Sequence, residues 1–265
     1  MQNMAMPKHT KVIDIEETII GWAKEVFKIT RSKEQARIKD DDLAYTVNWS
    51  RARIVHSEPE YSDKKQPVAP NSQVLFKTTF TNNTDHQQEY SFKTERTTSS
   101  TCDVCIEKGV SYGAELGLTL KLPEDVLEVG TGFKKELSVN KTVGETFSEE
   151  LTWGVDSLVK VPAKTITTAE LVISEQQNAS SFTVKTRVSG KILVHITNLS
   201  DNNSFVKSID GELVEIWKRQ AGNSDSSTVV VEKHCLSYIT KGQCHFRFGV
   251  EQHVNISEKA IDAAN

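Results

Sequence analysis

The chain of 265 residues has no run of 18 or more apolar residues, which excludes a segment that crosses a bilayer as a helix. It lacks a charge excess of either sign: 32 Lys and Arg against 36 Asp and Glu leave a formal net charge of −4. That balance removes the basic footprint that nucleic-acid binding needs. The first ten residues, Met1 to Thr10, lack the apolar core of a secretory signal. Either a signal has been removed, or the protein leaves its cell by lysis or another route. No phosphate loop is complete, because Gly130-Thr131-Gly132 stands without its other parts. Cysteines number only four. The hydrophobic content of 37% and charged content of 26% are ordinary for a water-soluble globular chain, and the length allows one long domain or two to three small ones.

What the chain does have is alternation. From Val110 to Leu122 every even position is apolar: Val110, Tyr112, Ala114, Leu116, Leu118, Leu120 and Leu122. The odd positions are polar or glycine: Ser111, Gly113, Glu115, Gly117, Thr119 and Lys121. After Pro123-Glu124-Asp125-Val126 the apolar residues fall on odd positions: Leu127, Val129, Phe133, Leu137, Val139, Val143 and Phe147. Period-two alternation means a strand with one oily and one wet face. Two such strands joined by four residues read as a hairpin.

One register satisfies both faces. With Leu122 opposite Leu127, Leu120 meets Val129, Leu116 meets Phe133 and Tyr112 meets Leu137. On the wet side Lys121 meets Glu128 and Glu115 meets Lys134, pairs that stabilise an antiparallel ladder by a few tenths of a kcal/mol each. Half-buried strands of a β-sandwich alternate in the same way. Length distinguishes the cases, since the run from Val110 to Leu122 spans roughly 43 Å, longer than a typical globular strand. Tilted by about 40°, it crosses the roughly 30 Å hydrocarbon layer of a bilayer. Lys135 is the one charge on the oily side between Val110 and the tip, opposite Ala114 and about ten residues from the turn, where a lysine can snorkel to the interface.

The flanks carry a resemblance. Thr94-Glu95-Arg96-Thr97-Thr98-Ser99-Ser100-Thr101 precedes the hairpin. Val159-Lys160-Val161-Pro162-Ala163-Lys164-Thr165 and Ala169-Glu170-Leu171-Val172-Ile173 follow it. An Asn-Asn-Thr strand end lies at Asn82 to Thr84, and a long strand runs through Val184 to Ile196. In this order of parts, over roughly residues 70 to 200, the chain resembles the aerolysin-type β-pore-forming toxins, most nearly the epsilon-toxin and mosquitocidal-toxin branch. The resemblance implies a mainly β, elongated fold of long antiparallel strands and β-sandwich, with a small helix-containing N-terminal region. It implies a soluble protein that binds a target membrane and an unknown receptor, oligomerises and inserts its hairpin as a barrel. No enzyme activity, cofactor, metal or nucleic acid is implied. The alternative is a non-lytic carbohydrate- or protein-binding module on the same fold.

The remaining expectations follow. Residues 1–72 read as a helix-containing receptor-binding region, 73–256 as a pore-forming module with its insertion hairpin at about 107–148, and 257–265 as a polar tail with Lys259 as a candidate cut site. Residues 14–38 suit a helix capped by Asp14, with Glu17 completing a capping box and Ile15, Ile19, Trp22, Val26 and Ile29 as its apolar stripe. Residues 57–72, with three prolines, read as a loop, and 198–204 and 222–227 as turns. Trp22, Phe27, Tyr45, Trp49 and Tyr61 are candidate receptor contacts or core residues. Cys235 and Cys244 are candidates for a disulfide across a hairpin at Lys241-Gly242, with free thiols the other reading. The Gly109-Val110-Ser111-Tyr112-Gly113 match to a nucleophile elbow is refused, because strand alternation continues where that motif needs a helix.

In the inserted hairpin the lipid side is expected to be Tyr112, Ala114, Leu116, Leu118, Leu120, Leu127, Val129 and Phe133. The lumen side is expected to be Ser111, Glu115, Thr119, Lys121, Glu128, Lys134, Glu136 and Ser138.

Overall fold

The computed structural model describes residues 11–220 and 228–261, and the side chains of all of these but 63–70. Long strands dominate it. In chain order the elements are β1 (Lys11–Asp14), α1 (Ile15–Thr30), β2 (Leu43–Asn48), β3 (Ala52–His56), β4 (Glu60–Asn82) and β5 (Gln88–Ser111). Next come β6 (Glu115–Lys121), α2 (Glu124–Glu128), β7 (Glu136–Lys141), β8 (Gly144–Val161), β9 (Thr165–Asn198) and β10 (Ser204–Glu212). The chain ends with α3 (Leu213–Gln220), β11 (Val229–Glu232) and β12 (Cys235–Ala260). At about 3.3 Å per residue, the 34 residues of β9 extend for roughly 110 Å, so the molecule is elongated as expected.

β9 is the spine. It pairs with β12 from Thr165↔Ala260 to Val188↔Leu236 and with β10 from Lys191 to Asn198. Opposite these it takes β2, β3 and β4 in turn. β5 lies beyond β12, and β8 beyond β5. β6 and β7 stand apart from this sheet as a two-stranded sheet of their own.

Three apolar cores line up along the spine. At the head, Ile15, Ile19, Trp22 and Phe27 of α1 pack with Leu213, Ile216 and Trp217 of α3 on Val188, Ile192, Val194 and Ile196 of β9. In the middle, β6, α2 and β7 cover Cys102, Val104 and Ile106 of β5, Phe182 and Val184 of β9, and Cys244, Phe246 and Phe248 of β12. At the far end Phe92, Val159, Val161, Ala169 and Leu171 close together. There the fully buried Asn82 ties the β4 and β8 ends, its amide donating to the carbonyls of His86, Val161 and Pro162 at 2.8 to 3.1 Å. The head thus draws on residues from α1 to β3, on Val110 and Tyr112, and again on residues from the second half of β9 onward, and residue 72 falls within β4.

Several expectations need correction. The helix stops at Thr30, because Ser32 and Gln35 exchange bonds (Ser32 N to Gln35 Oε1 at 3.0 Å, Gln35 N to Ser32 Oγ at 3.2 Å) and start a separate turn. Ile29 is therefore 75% exposed near the end of α1 and not part of its buried stripe. Asp14 caps α1 through the Glu16 amide and not through Glu17. Residues 60–72 are strand and not loop. β4 pairs only with β9, and its register slips at Ser62/Lys65, Lys65/Val68 and Val68/Asn71. Such an edge tolerates proline.

All four cysteines are free. Cys235 and Cys244 lie on one continuous strand, about 30 Å apart at nine residues' rise, beyond any disulfide. At the expected hairpin, Lys241-Gly242, β12 runs straight on, and the bulge lies opposite, at Glu107 of β5. The turn at 198–204 is present, while the one at 222–227 lies outside the described residues. Ser257 to Ala260 continue β12, with Lys259 opposite Ile166.

Candidate membrane-insertion site

The alternating segment is folded down against the middle core. Leu116, Leu118 and Leu120 of β6 and Leu137 and Val139 of β7 point inward, with Leu122, Val126 and Phe133 beside them, all at most 8% exposed. Each such side chain is worth about 1.5–3 kcal/mol of apolar burial. The opposite face is wet: Glu115, Thr119, Lys121, Glu128, Lys134, Glu136 and Ser138 are exposed.

The arms do not pair here as the sequence reading has it. Leu120 lies opposite Leu137 and not Val129; Lys121 lies opposite Glu136 and not Glu128; Glu115 lies opposite Lys141 and not Lys134. The offset is eight positions from Leu118 to Lys121 and seven at Glu115, across a register shift between Glu115 and Leu118. Because eight is even, the side chains from Leu118 to Lys121 keep their faces, and opposite charges again oppose each other. The slack between the arms is taken up by α2, which buries Val126, and by two glycines in left-handed conformation, Gly130 (φ 72°) and Gly132 (φ 81°). Val129 is consequently 42% exposed and Leu127 half-buried. Ala114 is exposed, whereas Ser111, expected on the wet side, is only 3% exposed where β5 ends beside Asp14. That position, at the end of a strand without a following helix, is no nucleophile elbow.

A few polar pins attach the stowed hairpin to the body. At its root, Asp14 Oδ1 accepts from the Gly113 amide at 2.9 Å while also capping α1. The Tyr112 hydroxyl lies 2.6 Å from that of Tyr238, and burial pushes both phenols up from their ordinary pKa. Trp49 packs edge-on against Tyr112, centroids 4.8 Å apart, and donates Nε1–H to Glu16 Oε2 at 3.1 Å. Partway along, His56 meets Thr186 Oγ1 at 2.9 Å. Burial lowers its pKa, and a backbone hydrogen bond with Gly117 offsets this only in part. At the tip, the Tyr61 hydroxyl donates to the Lys121 carbonyl at 2.7 Å and Lys121 Nζ donates to Glu58 Oε1 at 2.6 Å. An open cleft of about 680 Å³ lies between the tip and the Glu58–Tyr61 segment.

The candidate receptor aromatics are thus mostly spoken for. Trp22 is in the head core at 7% exposure and Phe27 is fully buried. Tyr45 is half-buried with Lys24 Nζ 5.6 Å above its ring. Trp49 and Tyr61 hold the hairpin. The exposed large apolar residues of the head are Ile29, Leu199 and the aromatic Phe205; Leu199 and Phe205 are not among the candidates read from the sequence. Beneath the hairpin, Cys244 and Cys102 are buried side by side, and a hydrogen bond with Cys102 together with burial pushes the Cys244 thiol well up. Among the described residues no group of three or more His, Cys, Asp or Glu is placed to hold a metal, and no helix is long and apolar enough to cross a membrane.

The model of the Clostridium epsilon toxin ETX/Bacillus mosquitocidal toxin MTX2 family covers residues 41–219, well over half of the chain. The chain belongs to this family. Its proteins are pore-forming and non-enzymatic, bind target membranes and assemble into oligomeric pores. The ETX/MTX2 chain also shares its architecture with solved structures. One is a non-toxic crystal protein from Bacillus thuringiensis, at 12% identity and TM-score 0.54, covering 94% of this chain and 98% of that one. Another is the Cry23Aa1 and Cry37Aa1 binary protein complex, at 15% identity and TM-score 0.51, covering 95% and 91%. At such identities the likeness is one of fold alone. A comparison with curated protein sequences finds no match.

Proposed function

We propose that this ETX/MTX2 chain binds a target membrane, oligomerises there and inserts the segment at about 107–148 as an amphipathic hairpin, several copies closing one transmembrane β-barrel. The observation that carries this reading is the separate sheet β6–β7. Its oily face is buried in the middle core, yet it shares no ladder with the large sheet. Such a unit can leave by side-chain unpacking and loss of a few pins, without tearing the spine. Alone it cannot enter lipid, because its edge amides and carbonyls would go unsatisfied. A closed ring of copies satisfies them.

On this reading Tyr112, Ala114, Leu116, Leu118, Leu120, Leu127, Val129 and Phe133 face lipid. Ser111, Glu115, Thr119, Lys121, Glu128, Lys134, Glu136 and Ser138 face the lumen. Opposite charges at Glu115/Lys134 and Lys121/Glu128 cancel, and Glu136 forms an uncompensated ring that favours cations mildly. Glu136→Gln is expected to reduce the cation preference measured as a reversal potential in a planar bilayer; an unchanged potential removes Glu136 from the lumen. The reading as a whole is tested on liposomes and cell membranes. It predicts release of an entrapped dye together with detergent-resistant rings. Binding without release or rings marks a non-lytic binding module instead.

A further inference from the structure

The β5–β8 ladder runs from Gln88↔Val161 to Cys105↔Gly144 without a single irregularity, one step back on β8 for each step forward on β5. It does not quite end there, since the Ile106 amide still donates to the Val143 carbonyl at 3.4 Å. Carried on in the same register, it puts Val110 opposite Val139, Tyr112 opposite Leu137, Leu116 opposite Phe133 and Leu120 opposite Val129, and it closes with Leu122 opposite Leu127. These are the pairs that the alternation and the charges of the sequence select by themselves, and they are eight positions away from the stowed pairing of Leu118–Lys121 with Glu136–Val139.

We infer that the hairpin of this chain has two registers: a stowed one, seen in the structure, and an inserted one in which its arms slide eight positions past each other and continue the β5–β8 ladder to a four-residue tip at residues 123–126. The inference rests on the pore reading above and specifies how the segment refolds.

Three physical points favour the slide. Hydrocarbon does not tolerate lipid-exposed irregular backbone. The stowed hairpin carries α2 and the stretch to Glu136, with the two left-handed glycines, outside its ladder. The continued ladder turns that stretch into paired strand. The even offset keeps the oily face oily, so no intermediate needs its side chains turned over. And β5 and β8 supply an existing template, so the new pairs form by zipping from Ile106 and Val143 toward the tip, each next to one already made.

The same register also sets where the oily face stops. Beyond Val110 and Val139, the next side chains on that face are Lys108 and Lys141, directly opposed. Like charges in that position repel, and phosphate oxygens of lipid headgroups relieve the repulsion. The apolar stretch between this pair and the tip, thirteen residues at about 3.3 Å and tilted by about 40°, matches the hydrocarbon thickness of roughly 30 Å.

The test uses two double-cysteine variants at exposed positions of the wet face, with the native cysteines kept and the cross-linked peptides identified by mass spectrometry. Thr119→Cys with Ser138→Cys reports the stowed register, since Thr119 and Ser138 are partners in it. Glu115→Cys with Lys134→Cys reports the inserted one. A thiol-bridging reagent of short reach is expected to link 119 to 138 in free protein and 115 to 134 only in rings formed on liposomes of phosphatidylcholine and phosphatidylserine or on cell membranes. Protein linked at 119–138 beforehand is expected to lose most of its dye release, and reversing a cleavable link restores it. Rings that retain the 119–138 link, or full release from linked protein, overturn the slide while leaving the pore reading in place. Failure of the unmodified protein to form rings on either membrane overturns both.

Discussion

At the scale of single residues, the stowed hairpin depends on contacts of unequal worth. The Glu58–Lys121 ion pair joins two exposed side chains, so solvent screens it and Glu58→Gln is expected to leave the melting temperature within error. The Tyr61 hydroxyl donates to the Lys121 carbonyl. Tyr61→Phe orphans that carbonyl and is expected to cost about 1 kcal/mol, seen as a lower melting temperature together with faster dye release. His56 adds a pH dependence. Its pKa in the stowed state lies below the ordinary 6.5, because burial disfavours the imidazolium. The stability it lends is therefore complete above pH 6.5 and is lost as the pH falls from there through the depressed value, since the released state takes up the proton first. Insertion rates followed by dye release are expected to rise across that interval, and His56→Gln to flatten the rise; a profile unchanged by the substitution would show that His56 is not the group responsible.

Among the elements, α2 and its two glycines hold the slack of the hairpin, and they distinguish the stowed state from an extended one. Gly130 has φ 72° with no atom within 4 Å of the position a Cβ would take, so Gly130→Ala introduces backbone strain and no clash. The strain is about 1–2 kcal/mol and exists only while the hairpin is stowed. The variant is expected to melt earlier yet release dye faster; slower release with the lower melting temperature would contradict this. The faces of β6 and β7 were legible in the sequence, because alternation sets faces directly, whereas the breaks at 112–114 and over 122–135, where alternation runs on without a strand, were not. The stowed register was not, because an eight-residue slide preserves faces and charge complementarity alike, and only α2 burying Val126 decides between the two. A five-residue helix leaves too little periodicity to read. The end of α1 had a signal, Ser32 and Gln35 in capping-box spacing, which the longer apolar stripe through Ile29 obscured. Cys235 and Cys244 misled because Gly242 looks in sequence like a turn residue, whereas it lies in a continuous strand where the Cys105 backbone and the Phe182 ring leave no room for a Cβ.

For the whole molecule, the three cores divide the work. The far end is closed around β9 by side chains that take no part in the hairpin, and the head by others besides Val110 and Tyr112 at the hairpin root, whereas the middle core is half made of the hairpin. Release of the hairpin therefore exposes one core and leaves the frame standing. The root of the hairpin is tied to the head through Asp14 and Trp49, which couples the start of α1 to Tyr112 and Gly113. This coupling was out of reach of the sequence, since it joins residues about a hundred positions apart through a shared carboxylate oxygen. The central claim, that a stowed segment becomes the wall of a membrane channel with a lipid side and a water side, is tested most directly at two neighbouring exposed positions. Val129→Cys and Glu128→Cys, each carrying an environment-sensitive dye, are compared on membranes with a quencher borne on lipid tails and with iodide in water. The account predicts that the dye at 129 is quenched by the lipid probe and the dye at 128 by iodide. Iodide quenching at both positions in protein that has released its dye-loaded vesicles would contradict it.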